Sequence, residues 1–470
     1  MAEVLLIYPS YTLFGKEDNL RGKESLTPSL GLALLASYLK AQDITVKVLD
    51  LRTADDSYQI LVNSIKDENP VLVGITAYTE NAKAAFEVAR ITREISKAAY
   101  ITIGGPHVTA LPIDTLKECS YLDAAVLGEG EITLNELLTA ITSGEEVSSV
   151  PGLAIRENDN YVLTEDRPPI EDLDSMPYAD WSQFDLSKYS DFVYVNLSRG
   201  CPYSCYFCYR QYLGKTRFRD PENVVAEISD IVRSFQVKHF QFTDATLTLN
   251  TAKTVDLCNR LIENGLGDKI KWSCDTRADT VDEELVSMMY KAGCRSITYG
   301  IESGDEYLLK EVIGKGETKE QMETAVQLTK KAGIEVRCHF IIGHAFETVR
   351  SLENTIAFAK KLSPDVISFG LMIPLPGTEM RRLAQEGTGN IVLFHSDWDR
   401  YNQVGYDCME LKNIPLAELK AWQSKAYLRY YIAKPLKALK LIFSQQGYNW
   451  KEIPRLFIYV VRNLLRKFRK

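Results

Sequence analysis

Three cysteines, Cys201, Cys205 and Cys208, fall within eight residues in the stretch RGCPYSCYFCYR. Spaced CxxxCxxC on a loop that Gly200 and Pro202 help to fold back, their thiolates can converge on one centre, and thiolates favour zinc or iron–sulfur ions. A structural zinc site takes four ligands, commonly as paired CxxC knuckles or with a later Cys/His pair. No second knuckle exists in this chain. A four-iron cluster is normally held by four thiolates, so three would leave one iron open to a ligand. The spacing therefore fits an iron–sulfur cluster with an open iron better than it fits zinc.

The bulk composition agrees with an intracellular use of cysteine. The chain has 470 residues, enough for two or three domains, and 45% apolar with 25% charged residues marks an ordinary globular protein. Nine cysteines, an odd number, are scattered along it without a secretory pattern, which argues against a disulfide framework. The start, MAEVLLIYPS, has Glu3 and Pro9 where a signal peptide would need basic residues and a longer apolar run, so a cytoplasmic location is expected. The net charge is −8, but residues 434–470 carry ten Lys or Arg against Glu452 alone, a local +9 that leaves −17 for the rest. An acidic body of that kind excludes a general nucleic-acid binder, which relies on a basic face.

Two stretches of alternating elements must position the chemistry. Apolar runs at 3–8, 45–50, 71–76, 100–105 and 124–130 predict strands, with helices at 29–41, 56–67, 82–97 and 131–142 between them. Continuous apolar strands separated by amphipathic helices indicate a parallel sheet covered on both faces, a doubly wound, flavodoxin-like α/β domain. The alternation breaks at 150–192, where RENDN is a hairpin-turn candidate and RPPIEDLDSMPYADW is rich in Pro and Asp. It resumes with strands at 193–198, 239–244, 271–276, 296–302, 336–342 and 366–372, interleaved with helices at 222–235, 252–264, 282–292, 318–332 and 350–362. Six strand–helix units predict a partial (β/α)6 TIM-type barrel. The expected division is a first domain over 1–145, a linker over 146–192, the barrel over 193–410 and a helical basic region over 411–470.

Ligands of parallel α/β folds gather at the carboxyl ends of the strands. There this sequence places the cysteine loop, Asp244, Arg277, Glu302, and His344 after Gly343. The remaining cysteines, Cys119, Cys258, Cys274, Cys294, Cys338 and Cys408, lie singly and read as buried inert thiols.

With Phe207 before its last cysteine, the loop resembles the signature of the radical S-adenosylmethionine enzymes. FTDATLTLN (242–250), WSCDTRAD (272–279) and YGIESGDEYLL (299–309) are similar to further motifs of that family. The resemblance implies a [4Fe-4S] cluster on Cys201, Cys205 and Cys208 whose open iron chelates S-adenosylmethionine. It also implies Phe207 and Asp244 as contacts, Glu302 on the ribose hydroxyls or nearby polar groups, and Arg277 with Arg337 near the methionine carboxylate. Carboxylate with diol and guanidinium with carboxylate are chemically matched pairs. One departure is GHAFET (343–348), with Ala345 and Phe346 where relatives often carry G-x-P-G-E-T; it is expected to reshape the loop around His344.

In the first domain the dinucleotide fingerprint GxGxxG is absent after the first strand, which gives YPSYTLFG. PSLGLALLASYLK (28–40), VGIT (73–76), GGPHVTALP (104–112) and VLGEGE (126–131) instead resemble the cobalamin-binding domain that precedes many radical enzymes of this class. The resemblance implies cobalamin contacts at Thr76, Gly104, Gly105, Thr109, Gly128 and Glu129. The DxHxxG motif is missing, so no histidine is expected below the cobalt. The methylthiotransferase relatives carry three further cluster cysteines in this domain, whereas this chain has only Cys119 there.

The whole resemblance implies a cobalamin-dependent enzyme that methylates an unactivated carbon of a small-molecule or lipid-like substrate, through methylcobalamin and a 5′-deoxyadenosyl radical. It would draw electrons from an external donor such as flavodoxin or ferredoxin. A cyclase or oxidoreductase of the anaerobic porphyrin cyclase type, and a zinc-stabilised binding protein, are the alternatives. At the end of the chain, PRLFIYVVRNLLRKFRK places Phe457, Val461, Leu464, Leu465 and Phe468 on one helical stripe with basic residues mostly opposite. Such a helix either packs on the barrel or lies on an anionic membrane surface.

Overall fold

The structure, a computed structural model, describes residues 2–10, 26–157, 160–209, 214–394, 397–401, 407–435 and 437. The basic stripe over 454–470 lies outside the described residues. Among these, no helix is long and apolar enough to cross a membrane.

The first sheet is built from β1 (Val4–Tyr8), β2 (Val46–Asp50), β3 (Leu72–Thr76), β4 (Tyr100–Gly104) and β5 (Ala124–Val126), all parallel. Period-2 alternation sends Val4 and Leu6 into one apolar cluster and Leu5 and Ile7 into another, so both faces are covered by helices. The helices form where their caps allow. Ser29 Oγ accepts from Leu32 N at the start of Leu30–Lys40, and Asp56 caps Ser57–Glu68 through Gln59 N.

The segment expected to be a linker is partly sheet and is anchored at several points. β6 (Leu153–Glu157) and β7 (Asn160–Leu163) form a hairpin that pairs antiparallel onto β5, giving the order β2-β1-β3-β4-β5-β6-β7. The RENDN turn signal marks this hairpin, but its pairing with a strand some thirty residues earlier is a tertiary fact. After it, Trp181 is fully buried and Asp180 N donates to Ala33 O at 3.1 Å, so the connection is clamped against the first helix.

The second sheet has the order β15-β14-β13-β12-β11-β8, all parallel, from β8 (Phe192–Val195), β11 (His239–Phe242), β12 (Lys271–Thr276), β13 (Cys294–Glu302), β14 (Glu335–Ile342) and β15 (Val366–Leu371). β8 and β15 do not pair, so the barrel is partial and open, as six units predict. Its helices also follow their caps: Asp220 with Pro221 starts Pro221–Phe235, and a Thr318/Gln321 capping box starts Lys319–Lys331. The final described helix, Leu416–Ala433, covers β15, where Phe369 N donates to Tyr427 Oη at 3.0 Å.

Alternation in the barrel strands puts large apolar residues such as Phe240, Trp272, Tyr299 and Phe340 outward under the helices. Many inward positions are polar, among them Gln241, Ser273, Asp275, Thr298, Arg337 and His339, beside Phe192, Tyr194 and Ile341. This is not the aliphatic filling of a closed barrel. Between β8 and β11, a hairpin of β9 (Ser198–Gly200) and β10 (Thr216–Phe218) carries the cysteine loop. Gly200 is required there: its φ is +99° and a Cβ would lie 2.1 Å from Lys215 O.

Candidate functional site

The carboxyl ends of β3, β4 and β5 face the barrel mouth across a cavity of about 1120 Å³. Thr76, Gly104, Gly105, Gly128 and Glu129 line it from the first domain, and Cys201 and Cys208 from the barrel. Thus seven of the expected residues, drawn from both domains, share one space.

Several expected residues brace that wall, Thr109 and Asp244 from behind it. The Thr109 hydroxyl donates to Gly105 O at 3.0 Å and accepts from Gly128 N at 3.1 Å, tying together the turns after β4 and β5. Gly105, with φ +114°, sits so close to the neighbouring turn that a Cβ would meet Ala77 O at 2.6 Å. The Glu129 carboxylate is already engaged. It accepts from Arg217 at 2.8 and 2.9 Å, Arg199 at 3.2 Å and Ile170 N at 2.8 Å, a buried clamp between the domains. Asp244 is buried and accepts from Leu197 N at 3.0 Å and Ser198 Oγ at 2.5 Å, so it anchors the strand that leads into the cysteine loop. Burial pushes its carboxyl up to about 6.

The cysteine loop is pinned from below by residues that the sequence did not single out. Cys208 N donates to Cys205 O at 3.0 Å, and Tyr206 N donates to Ile313 O at 3.3 Å at the end of a π-helical turn (Leu308–Ile313). The following GKGE turn delivers Lys315, whose buried ammonium lies 2.9 Å from Glu317 and 3.6 Å from Glu302 and donates to Gly300 O. Burial disfavours that ammonium, and Glu302 with Glu317 outweighs the penalty, holding it above the usual lysine range. Burial raises the Cys205 thiol, while Lys315 and Arg277 act to lower it. Negative charge placed on that sulfur would meet two cations.

Arg277 lies over the Tyr203 ring at 3.7 Å, bonds Asp279 at 2.9 and 2.6 Å and donates to Lys315 O at 2.8 Å. Its Nη1 is buried without a hydrogen-bond partner and faces Glu317 Oε2 at 3.8 Å. Glu302 ends β13 at an irregularity in the pairing with β14 and takes a φ of +65°, uncommon for a non-glycine residue. Burial raises its carboxyl against the pull of Lys315.

Arg337 stands apart from this group. It is the third residue of β14, paired with Glu335 at 2.8 Å, and lies three residues below Phe340, the register partner of Glu302. At roughly 3.3 Å per residue this is about 10 Å down the barrel. Phe207 is half-buried, 5.9 Å from the Tyr206 ring and 6.2 Å from the His344 ring, centroid to centroid. His344 does not line the cavity: it is fully buried behind the loop. The departure at 343–348 keeps a turn, with Phe346 itself adopting the left-handed φ of +60° that glycine takes readily.

The donor set fits a cluster with three protein ligands. All six remaining cysteines are buried away from the loop, with Cys274 and Cys294 hydrogen-bonded to each other, so none supplies a fourth thiolate. The cavity fits a large cofactor, walled by bare turns on one side and the loop on the other. His107, the one histidine of the first domain, is buried against Thr79 and Trp398 and does not line it.

Comparison with known proteins bears on the same two features. Residues 195–359 match the radical SAM superfamily model, and residues 23–138 match the B12 binding domain model. Over 447 residues the chain is 35% identical to an uncharacterized methyltransferase of Pyrococcus horikoshii, covering 94% of each. The chain belongs to the cobalamin-binding radical S-adenosylmethionine family. A second relative of this family, the anaerobic magnesium-protoporphyrin IX monomethyl ester cyclase of Rubrivivax gelatinosus, is 32% identical over 93% of this chain and 80% of its own. The fold is shared with the radical S-adenosylmethionine methyltransferase TsrM from Kitasatospora setae (TM-score 0.75, 18% identity, all of both chains). It is shared too with the cobalamin-dependent enzyme OxsB (TM-score 0.76, 20% identity, 98% of this chain and 71% of that one). The family's cofactors are a [4Fe-4S] cluster, S-adenosylmethionine and cobalamin, and the protein is an enzyme.

Proposed function

We propose that this enzyme methylates an unactivated carbon of a small-molecule or lipid-like substrate. The observation that carries this reading is the single cavity shared by Cys201 and Cys208 with the Thr76, Gly104, Gly105 and Gly128 turns. Cys201, Cys205 and Cys208 would hold the cluster, and the turns after β3, β4 and β5 the corrinoid. When bound, the cluster supplies the electron that cleaves S-adenosylmethionine, and the corrinoid supplies the methyl carrier.

The chain's own residues position and balance charge. Lys315 and Arg277 offset the negative charge of the cysteine loop, and the Nη1 of Arg277, 3.8 Å from the Glu317 carboxylate, is chemically matched to a ligand carboxylate. Glu302 presents a buried carboxylate to polar hydroxyls, while Asp244 and Thr109 hold the loop and the turns in place. The inward polar positions, Asp275 among them, face the substrate from the barrel. An external flavodoxin- or ferredoxin-like donor would reduce the cluster, and a cytoplasmic site of action suits an oxygen-sensitive centre. The 454–470 stripe is the candidate for peripheral membrane contact.

A second reading, an oxidative ring-forming reaction, is favoured by the 32% identity to the anaerobic cyclase. Anaerobically reconstituted enzyme, given S-adenosylmethionine labelled in its methyl group and pools of small molecules and lipid extracts, separates the two. Methyl transfer predicts label in a product alongside deoxyadenosine. Cyclisation predicts deoxyadenosine without label in the product, and protein that binds zinc and cleaves no S-adenosylmethionine overturns both.

A further inference from the structure

Among the described residues six charged side chains line the cavity, and five of them are already paired. Arg52 meets Asp50 at 2.6 Å, Arg217 meets Glu129 at 2.8 Å and Arg199 meets Glu131 at 2.9 Å. The sixth, Asp275, forms no ion pair with any described residue, although it stands on the inner face of the barrel with its side chain open to the lumen. The surrounding protein raises its carboxyl, an effect that the Thr298 hydroxyl, His339 and Arg337 offset only in part. Enclosed charges are ordinarily paired, so this one is short of a partner.

Two basic groups stand near, and neither supplies that partner. Asp275 is in register with Thr298, and Thr298 with Arg337, which puts Arg337 two strands away, about 10 Å between Cα atoms. Its guanidinium is engaged with Glu335 at 2.8 Å. His339 is the next inward position along β14, and the enclosing protein lowers its pKa, which keeps the ring neutral against the pull of Asp275.

The other side of the lumen is aromatic. Phe192 and Tyr194 on β8 meet edge to face with centroids 5.6 Å apart, and Tyr8 and Tyr78 of the first domain stack at 6.4 Å in the same cavity. Tyr194 is in register with Gln241, and Gln241 with Ser273. It therefore lies two strands from β12 and one inward position below Asp275, about 12 Å between Cα atoms. The two side chains shorten that gap, so a guest a few carbons long spans it.

We propose that Asp275 is the residue that selects the substrate, and that the substrate is an amphipathic amine whose ammonium pairs with this carboxylate while its apolar or aromatic body extends toward the rings of β8. This rests on the functional reading above, which puts the substrate in this lumen. One charged contact at one end and ring faces at the other fix the orientation of a guest as well as its affinity.

The test compares phenylpropylamine, phenylpropanol and phenylpropanoate, which share one body and differ in charge. Their binding to full-length, reconstituted enzyme holding S-adenosylmethionine and corrinoid, with the cluster oxidised, is measured by ligand-observed NMR. Salt at about 0.15 M screens long-range attraction to the acidic body. Wild type is expected to bind the amine about tenfold or more tighter than the alcohol, as a hydrogen bond to a charged group allows, and the carboxylate least. Asp275→Asn, uncharged and of the same shape, is expected to abolish that preference with iron loading and the Kd for S-adenosylmethionine unchanged. Asp275→Lys is expected to turn it toward phenylpropanoate.

Amine binding no tighter than alcohol binding in wild type overturns the proposal, and this comparison decides even where a variant folds poorly. A preference that survives in Asp275→Asn overturns it as well. So does a raised Kd for S-adenosylmethionine in that variant, because the carboxylate would then belong to the cofactor. Failure of the wild-type protein to load iron or bind S-adenosylmethionine overturns the functional reading instead.

Discussion

Glu129, at the end of the turn after β5, meets Arg217 of the cysteine-loop hairpin through both carboxylate oxygens, at 2.8 and 2.9 Å, with the two side chains only 11% and 5% exposed. This pair joins a turn of the first domain to the hairpin that carries the cluster loop. Removing one partner strands a buried charge, at a cost of about 3–5 kcal/mol. Glu129→Ala is therefore expected to lower the free energy of unfolding measured in urea by an amount of that order, and to weaken corrinoid retention on gel filtration.

The cysteines carry no disulfide, and Cys208 is exposed. Replacing Cys201, Cys205 or Cys208 singly with Ser is expected to leave the melting temperature of cluster-free protein within a few degrees of wild type. Iron binding, the visible absorption of the reconstituted protein and deoxyadenosine formation should each be lost. Iron and sulfide analysis beside circular dichroism checks both halves.

Gly105 leaves no room for a side chain, with Ala77 O at 2.6 Å from a built Cβ and a φ of +114°. Gly105→Ala must shift that turn, at about 1–3 kcal/mol for backbone forced into an unfavoured region. The expected result is a lower melting temperature together with loss of bound corrinoid, read from its visible spectrum. The cluster of the same preparation should remain intact.

Burial pushes the Glu347 carboxyl up to about 8 from an ordinary value of 4.5. A carboxyl with a raised folded pKa contributes stability in its neutral form, complete below about 4.5 and lost as pH rises through about 8. Wild-type stability should decline over that window. Glu347→Gln, neutral throughout, is expected to flatten the decline, which melting temperatures taken at several pH values between 5 and 9 would reveal.

Much of this site could be read from residue order because it rests on local rules. Strands announced themselves by apolar runs, helices by the amphipathic stretches between them, and the cluster loop by three cysteines close in sequence. Lys315 was silent, because its place beside Cys205 depends on the π-helical turn that precedes it and on the fold of β13. Arg337 entered through the resemblance alone, and β14 continues five residues past it, which sets it below the strand end. Glu129 sits where the motif puts it, on the cavity wall, yet its charge is spent on Arg199 and Arg217, residues seventy or more positions away in sequence. His344 was visible as a histidine, whereas its complete burial and its link to Tyr206 are products of tertiary packing.

The polar lining of the barrel also bears on selectivity. Walls carrying Gln241, Ser273, Asp275, Thr298 and His339 stay wetted until a guest displaces the water, and a guest that fails to replace those hydrogen bonds leaves buried groups unpaired. A site built to hydrogen-bond a hydroxyl or amine rejects an analogue missing that group by about 10⁴-fold or more. On such a wall the placement of a guest's heteroatoms would weigh more in selection than its bulk.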